Sequence, residues 1–197
     1  LPVCGPRASV DQMGHRVAHT RSQPGSARRS QAERAEAMRS RLLDATIAAL
    51  AERGYRGTST NDIVRRAHVS RGALAHHFRT RAELVSAAAR RLIDQRAEQF
   101  RTRFGAIAPD ERTPAEALAV LWSFYDSPSC TALLELTIAA RHEPELRAVM
   151  AAMPDQIADL ARTIFVEFFP EFVRLPFLDE ALRTINALFT GLALAAI

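Results

Sequence analysis

From residue 30 onward the apolar side chains recur every three or four positions almost without interruption, and this spacing constrains the fold more than any other feature. Such a period of about 3.6 residues places one apolar stripe on each helix. No stretch alternates apolar and polar residues for long enough to predict a strand. The sequence therefore predicts an all-α fold. The clearest stripe consists of Leu178, Leu182, Ile185, Phe189 and Leu192.

Several helix starts are marked by short motifs. Ser30, Thr80 and Thr113 are each followed by glutamate three residues later. In such a capping box the hydroxyl accepts a backbone hydrogen bond and the glutamate accepts another in return. Pro128 and Pro176 indicate two further starts, because proline is well suited to the first turn of a helix.

Two other residues predict where helices are interrupted. The first helix should run from about Ser30 to Arg53 and stop at Gly54, which can adopt a left-handed cap. Pro154 lies inside a helical run from Val149 to Phe168, so it should kink or break that helix.

Charge is distributed unevenly along the chain. Residues 1–103 hold 20 of the 26 basic residues but only 9 of the 22 acidic ones, and every basic residue is arginine. A basic first half joined to an acidic second half indicates that the first half meets a polyanion. A set of solvated helix faces is the alternative explanation.

Residues 1–29 combine Gly, Pro, Ser, Arg and His without periodicity, which predicts a disordered basic tail. The helical pattern is still running at Ile197, so we expect the natural chain to continue beyond it. Neither a membrane span nor a signal peptide is predicted, since no apolar run is long enough. Cys4 and Cys130 are not spaced as a pair, and a reducing, cytoplasmic location is expected.

Residues 57–78 read GTSTNDIVRRAHVSRGALAHHF and have the pattern of a helix-turn-helix. Either Ser59 or Thr58 can cap a first helix that runs from residue 60 to about residue 67. A tight turn around His68 follows, and Ser70 then caps the second helix. Two short helices joined in this way fit the major groove of DNA.

The second of these helices has one buried and one free side. Leu74 and Phe78 are four residues apart and should anchor it to the hydrophobic core. The residues left free on the exposed side are Arg71, Gly72, Ala73, Ala75, His76 and His77.

The stretch from about Arg41 to Leu92 resembles the DNA-binding region of the TetR family of bacterial one-component regulators. A weaker similarity lies at residues 140–147, which read ARHEPELR and are similar to a bend between two helices in many family members. The matching features of the longer stretch are Gly54-Tyr55, Thr58-Ser59-Thr60, Asp62-Ile63-Val64, Val69-Ser70, Gly72-x-Leu74 and Phe78 before Thr80-Arg81-Ala82-Glu83.

The resemblance implies a homodimer with a three-helix DNA-binding domain at residues 30–79. A helical domain at residues 80–197, truncated at its C-terminus, would bind an effector and form the dimer. It also implies double-stranded DNA with a palindromic operator as the partner. The residues placed at the DNA by the resemblance are Thr58, Ser59, Thr60, Asn61, Ser70, Arg71, Gly72, Ala73, Ala75, His76, His77 and Arg81.

Individual positions of this set admit more than one role. Arg71 can bond O6 and N7 of guanine with its planar fork, or it can contact a phosphate alone. The family commonly has tyrosine at the position of Ala75, so Arg71 or His76 should contribute more of the affinity here. His76 and His77 diverge by about 100° on a helix and are poor joint metal ligands. No metal or cofactor is predicted.

By the same resemblance, residues of the second half would line an effector pocket. Ordinary core packing is the alternative for any single aromatic residue among them. The stripe from Leu182 to Leu192 is a candidate dimer surface. The candidate ligand-binding residues are Trp122, Tyr125, Glu135, Phe165, Phe168 and Asn186.

The resulting hypothesis is a transcriptional repressor that a small, largely apolar effector releases from its operator. A helical interaction protein without DNA-binding activity is the alternative, because Ala75 replaces the tyrosine expected at the DNA backbone. An α-helical enzyme is the other alternative, but the sequence lacks metal-ligand spacing, a phosphate-binding glycine loop and a nucleophile beside a base. We therefore expect no catalytic activity.

Overall fold

A computed structural model describes residues 30–195 of the chain, and in this range every regular element is helical, as predicted. The expectations for the basic tail and for the C-terminal end concern residues outside this range. No helix of residues 30–195 is long and apolar enough to span a membrane. The eight α-helices are α1 (Gln31–Gly57), α2 (Thr60–Ala67), α3 (Arg71–His77), α4 (Arg81–Gly105), α5 (Pro114–Trp122), α6 (Pro128–Ala139), α7 (Pro144–Phe168) and α8 (Leu178–Ala195), with a 3₁₀ turn at Pro170–Phe172.

The predicted helix starts are confirmed by their hydrogen bonds. Ser30 forms the full capping box, with its hydroxyl accepting from the backbone N–H of Glu33 at 3.1 Å. The Thr80 and Thr113 hydroxyls likewise accept from the backbone N–H of Glu83 and Glu116, at 3.0 and 3.2 Å. At α4 the Glu83 carboxylate accepts from the backbone N–H of Arg79, whereas in a full capping box it would accept from that of Thr80. The helix predicted at Pro128 starts there, and the one predicted at Pro176 starts two residues later.

The end of α1 differs from the prediction by one turn. Gly54 has φ 65° and ψ −179°, so helical geometry is interrupted at the predicted residue, but helical structure resumes up to Gly57. The extra turn is stabilised because Tyr55 is buried and the Thr58 hydroxyl donates to the Gly54 carbonyl at 2.8 Å.

Of the kink or break predicted at Pro154, the break is absent, since α7 is a single helix from residue 144 to residue 168. Proline removes one backbone hydrogen bond within a helix. That loss is offset here by the burial of Met153, Ala158 and Ile164 along the same helix. Pro154 itself lies on the exposed side.

We refer to α1–α3 as the head and to α4–α8 as the body, although their packing is continuous. The head cluster joins Leu42, Ile63 and Phe78 to Leu84, which already belongs to α4. A second cluster joins Leu50 and its neighbours on α1 to residues of α4, α6 and α7. The head and the body are connected in two ways. Helix α4 runs from the head cluster into the body, and α6 of the body packs along α1 of the head.

Candidate DNA-binding surface and ligand cavity

The geometry of α2 and α3 follows from three local interactions. Ser59 caps α2, since its hydroxyl accepts from the backbone N–H of Asp62 at 3.1 Å. His68 then adopts a left-handed conformation, with φ 53°, and ends the helix. Ser70 caps α3 by accepting from the backbone N–H of Ala73 at 3.1 Å. The predicted helix-turn-helix is thereby confirmed in its bounds and its caps.

Most of the predicted DNA-contacting residues lie on one exposed side of the head. Ala73 and His77 are half-buried, and the His77 ring lies 6.4 Å from the ring of buried Phe78. His76 is exposed beside it, so one histidine faces outward and the other faces the head. The residues that are exposed are Ser59, Thr60, Asn61, Ser70, Arg71, Gly72, Ala75 and His76.

Two of the predicted contacts are instead used inside the protein. Thr58 is 2% exposed, and its hydroxyl bonds to the Gly54 carbonyl. Arg81 is half-buried, with its guanidinium carbon 3.9 Å from the centre of the Tyr55 ring and a hydrogen bond to the Tyr55 carbonyl. Thr58 is thus engaged at the end of α1 and Arg81 at the junction of α1 and α4, and their contact with DNA stays a prediction.

Ion pairs hold α2 against α1. Arg66 on α2 forms two hydrogen bonds with the Glu52 carboxylate on α1, at 2.8 and 2.5 Å. This pairing lowers the pKa of Glu52. The pKa of Asp62 is lowered by the Ser59 hydroxyl, which donates to it at 2.6 Å, and by nearby arginines. These interactions occupy the arginines of α2, whereas Arg71 at the start of α3 forms no ion pair with any residue between 30 and 195.

The body contains a cavity of about 360 Å³ between α4, α5, α7 and α8. Its wall is mainly aliphatic and aromatic. Beside it, Phe104 packs edge to face with Phe168 of α7 and stacks with Phe100 of α4. This volume and lining are typical of a small-molecule site. The aromatic residues that line it are Phe100, Phe124, Tyr125, Phe165, Phe168, Phe169, Phe172 and Phe177.

Four of the six predicted ligand-binding residues line this cavity: Tyr125, Phe165, Phe168 and Asn186. Trp122 lies outside the lining, where its ring stacks near Tyr125 at a centroid distance of 6.1 Å. Glu135 also lies outside it, on α6, against Gly54 of α1. The sequence around Glu135 does not indicate this contact with α1, because Gly54 is more than 70 residues away in the chain.

A small polar group occupies one part of the cavity wall. The Tyr125 hydroxyl donates to the Asn186 side-chain oxygen at 2.6 Å, and burial raises the pKa of Tyr125. Arg96 lies beside them, with its guanidinium carbon 5.0 Å from the Tyr125 ring centre. Sequence reasoning missed Arg96, because it is one of many arginines on α4 and nothing in its local sequence distinguishes it.

The stripe predicted as a dimer surface is mostly turned inward. Leu182 and Ile185 line the cavity, and Phe189 packs against the Trp122 ring at 5.1 Å. Only Leu192 of the predicted stripe is largely exposed. A different set of apolar residues on the second half of α8, here called the outer face of α8, is exposed instead: Ala187, Leu188, Gly191, Leu192, Leu194 and Ala195.

Comparison with known proteins identifies the family. The model of bacterial regulatory proteins, tetR family, matches residues 42–88, which span the helix-turn-helix. The HTH-type transcriptional regulator Rv2912c of Mycobacterium tuberculosis is 33% identical over 148 residues, which cover 73% of this chain and 76% of Rv2912c. The chain belongs to the TetR family. It is thus a helix-turn-helix transcriptional regulator rather than an enzyme, as predicted.

Two further relatives support this assignment. The HTH-type transcriptional regulator CymR of Pseudomonas putida is 36% identical over 120 residues, which cover 61% of this chain but only 59% of CymR. A crystal structure of a TetR-family regulator from Rhodococcus sp. superposes with a TM-score of 0.63 at 27% identity, covering 80% of this chain and 86% of that one. The similarity to the Rhodococcus structure extends through the body as well as the head.

Proposed function

We propose that this TetR-family chain is a ligand-responsive repressor. Two copies bind a palindromic operator through α3, and a small, largely apolar effector in the cavity weakens that binding. The observation that carries the proposal is the course of α4. Leu84 near its start packs in the head cluster, and Phe100 near its end lines the cavity. A change in the cavity therefore acts on the element that supports the head.

The proposed DNA contacts are the exposed residues of α3 and of the start of α2. Arg71 is the base-reading residue, because it is exposed, unpaired within residues 30–195 and located at the first position of α3. In the proposed complex Ser59, Thr60 and Asn61, which are exposed, contact the backbone of the DNA. The N-terminal end of a recognition helix is the end that meets base edges in helix-turn-helix proteins.

The proposed dimer forms through the outer face of α8. Leu188, Leu192 and Leu194 are 56%, 47% and 46% exposed, and they lie on one helix beside small residues that permit close approach. A two-fold axis at such a face brings the same surface of two copies together. The two heads then contact half-sites about 34–36 Å apart, or a multiple of that distance.

Selection of bound fragments from random DNA tests the DNA-binding part of this proposal. We expect a palindrome whose half-site spacing gives the separation of the heads. Binding to it should weaken steeply with salt, with a slope of about −0.9 per phosphate neutralised, and should exceed binding to competitor DNA. Recovery of no preferred sequence, together with a flat salt dependence, would instead favour an interaction protein that does not bind DNA.

A further inference from the structure

Arg96 is a cation in the cavity wall that pairs with no carboxylate in the described part of the chain. It is half-buried, and its guanidinium donates to the Phe124 carbonyl at 2.9 Å. Arg91 and Arg101 on the same helix each pair with a carboxylate, at 2.7 and 2.9 Å. No such pair is formed by Arg96 within residues 30–195. The guanidinium also reaches the Cys130 side chain, and the N–H donors that neither Phe124 nor Cys130 uses are available to a ligand.

The groups next to Arg96 add to this supply of donors. Asn186 accepts the Tyr125 hydroxyl with its side-chain oxygen, so its amide nitrogen points its two N–H groups elsewhere. No protein acceptor for that nitrogen lies within the described part of the chain. Arg96 and Asn186 both line the cavity, and a guanidinium and an amide N–H₂ can each donate to an oxygen of one carboxylate.

The rest of the lining offers no partner to a cationic ligand. Among the described residues that line the cavity, Arg96 is the only charged one, and the others are apolar apart from Tyr125 and Asn186. A cationic ligand would meet like charge and no counterion there. A wholly apolar ligand would cover Arg96 and remove water from a charge without replacing the lost hydrogen bonds, which is unfavourable.

We propose that the effector is an amphipathic monoanion, with one carboxylate held by Arg96 and Asn186 and an apolar body among the aromatic rings. This inference rests on the proposed function, in which the cavity is the effector site. It adds the charge and the orientation of the ligand. The carboxylate lies at the α4–α8 side of the cavity, and the body extends toward Phe165 and Phe168 of α7.

Matched compounds that differ only in the head group test the charge. One trio is 4-phenylbutyrate, its primary amide and 4-phenylbutylamine, and a second trio is decanoate, decanamide and decylamine. Binding is measured by calorimetry and by the fluorescence of Trp122, the only tryptophan, which lies 6.1 Å from the Tyr125 ring. In at least one trio the acid should bind about 10-fold or more tightly than its amide, and the amine should bind most weakly.

Substitution of Arg96 identifies the group responsible. Arg96→Met should weaken binding of the acid by about 10- to 100-fold and leave the amide nearly unchanged, so that the two bind alike. Arg96→Lys keeps the charge and should retain part of the preference, even if the methionine variant fails to fold. Arg90→Met, on an exposed part of the same helix, is the matched control and should bind like the wild type.

The inference is overturned if no acid in either trio binds more tightly than its own amide, including the case in which none binds. It is also overturned if Arg96→Met, shown to be folded by its thermal transition, keeps the preference. If the compounds release DNA but bind equally well with any head group, the cavity is still the effector site, and the anionic ligand is refuted. The two proposals can therefore fail separately.

Discussion

Gly54 is the residue at which the backbone of α1 departs furthest from helical geometry. Its φ of 65° with ψ of −179° lies in a region that only glycine occupies readily. The space beside it is also filled, since the Glu135 carboxyl carbon would lie 3.1 Å from a Cβ built at this residue. Conformation and space together make residue 54 the point at which α6 can approach α1.

We expect Gly54→Ala to lower the free energy of unfolding by about 1–3 kcal/mol, because alanine is strained in this conformation. Urea denaturation followed by circular dichroism measures the change. The double variant Gly54→Ala with Glu135→Ala should recover part of the loss, as it removes the collision but not the strain. Gly72→Ala, where only the Ser70 hydroxyl oxygen lies nearby at 3.9 Å, is the control and should cost little. An unchanged free energy of unfolding in Gly54→Ala would show that position 54 does not require glycine.

Arg81 joins the head to the body through its contact with Tyr55. Its guanidinium carbon lies 3.9 Å from the Tyr55 ring centre, and burial raises the pKa of that tyrosine. Arg81→Met should therefore lower the free energy of unfolding by about 1–2 kcal/mol. The salt slope of DNA binding should be unchanged. A slope smaller by about one unit, with unaltered stability, would show that Arg81 neutralises a phosphate after all.

At the scale of helices, the sequence predicts well what is determined locally. Capping residues such as Ser30 and Ser70 and the 3.6-residue period act within one or two turns, and the helices they predict are present. The unbroken α7 was not predictable in this way, because the packing that offsets Pro154 comes from other helices. The side of α8 that is covered likewise depends on α5 and α7.

For the candidate site, too, local features were predictable and contacts between distant helices were not. Asn186 was predictable because a polar group among apolar residues is unusual, and Tyr125 because it belongs to the aromatic residues of the second half. Arg96 and the true surroundings of Glu135 were not, since each is defined by contacts between helices distant in sequence. The exposed face of α3 was predictable, because Leu74 and Phe78 fix which side is buried.

For α3 we expect Arg71→Ala to reduce affinity for the selected operator by about 10- to 100-fold, the range for loss of a bidentate contact to one base. Affinity for random DNA should fall much less. Gel-shift titrations with both DNAs at one salt concentration measure the two losses. Arg90→Ala, exposed and outside the head, controls for the removal of one positive charge. Equal losses on both DNAs would make Arg71 a phosphate contact.

At the scale of the molecule, DNA recognition by two copies requires an interface, and the outer face of α8 is our candidate. Leu188→Arg introduces a charge at the centre of this face and should convert the dimer to a monomer, as measured by analytical ultracentrifugation. Ile138→Arg is the matched control, because Ile138 is similarly exposed, at 52%, but lies on α6. A Leu188→Arg protein that remains dimeric would place the interface elsewhere.

The proposed mechanism also depends on the distance between the two heads. An effector can shift binding only by its differential affinity for the DNA-bound and released arrangements. If those arrangements differ in head separation, fixing that separation removes the difference on which release depends. Arg56, exposed near the end of α1, is a suitable site for a cysteine in each copy, with Cys4 replaced by serine and Cys130 buried.

Cross-linking Arg56→Cys dimers with a bis-maleimide while they occupy the operator should trap the DNA-bound spacing. We expect the cross-linked protein to keep its operator affinity at saturating concentrations of whichever test compound best releases the unlinked dimer. The same variant treated with a monofunctional maleimide controls for modification and should still release DNA. Release by the cross-linked dimer would mean that the effector acts within each head, by reorienting α3 through α4, and not by changing the distance between heads.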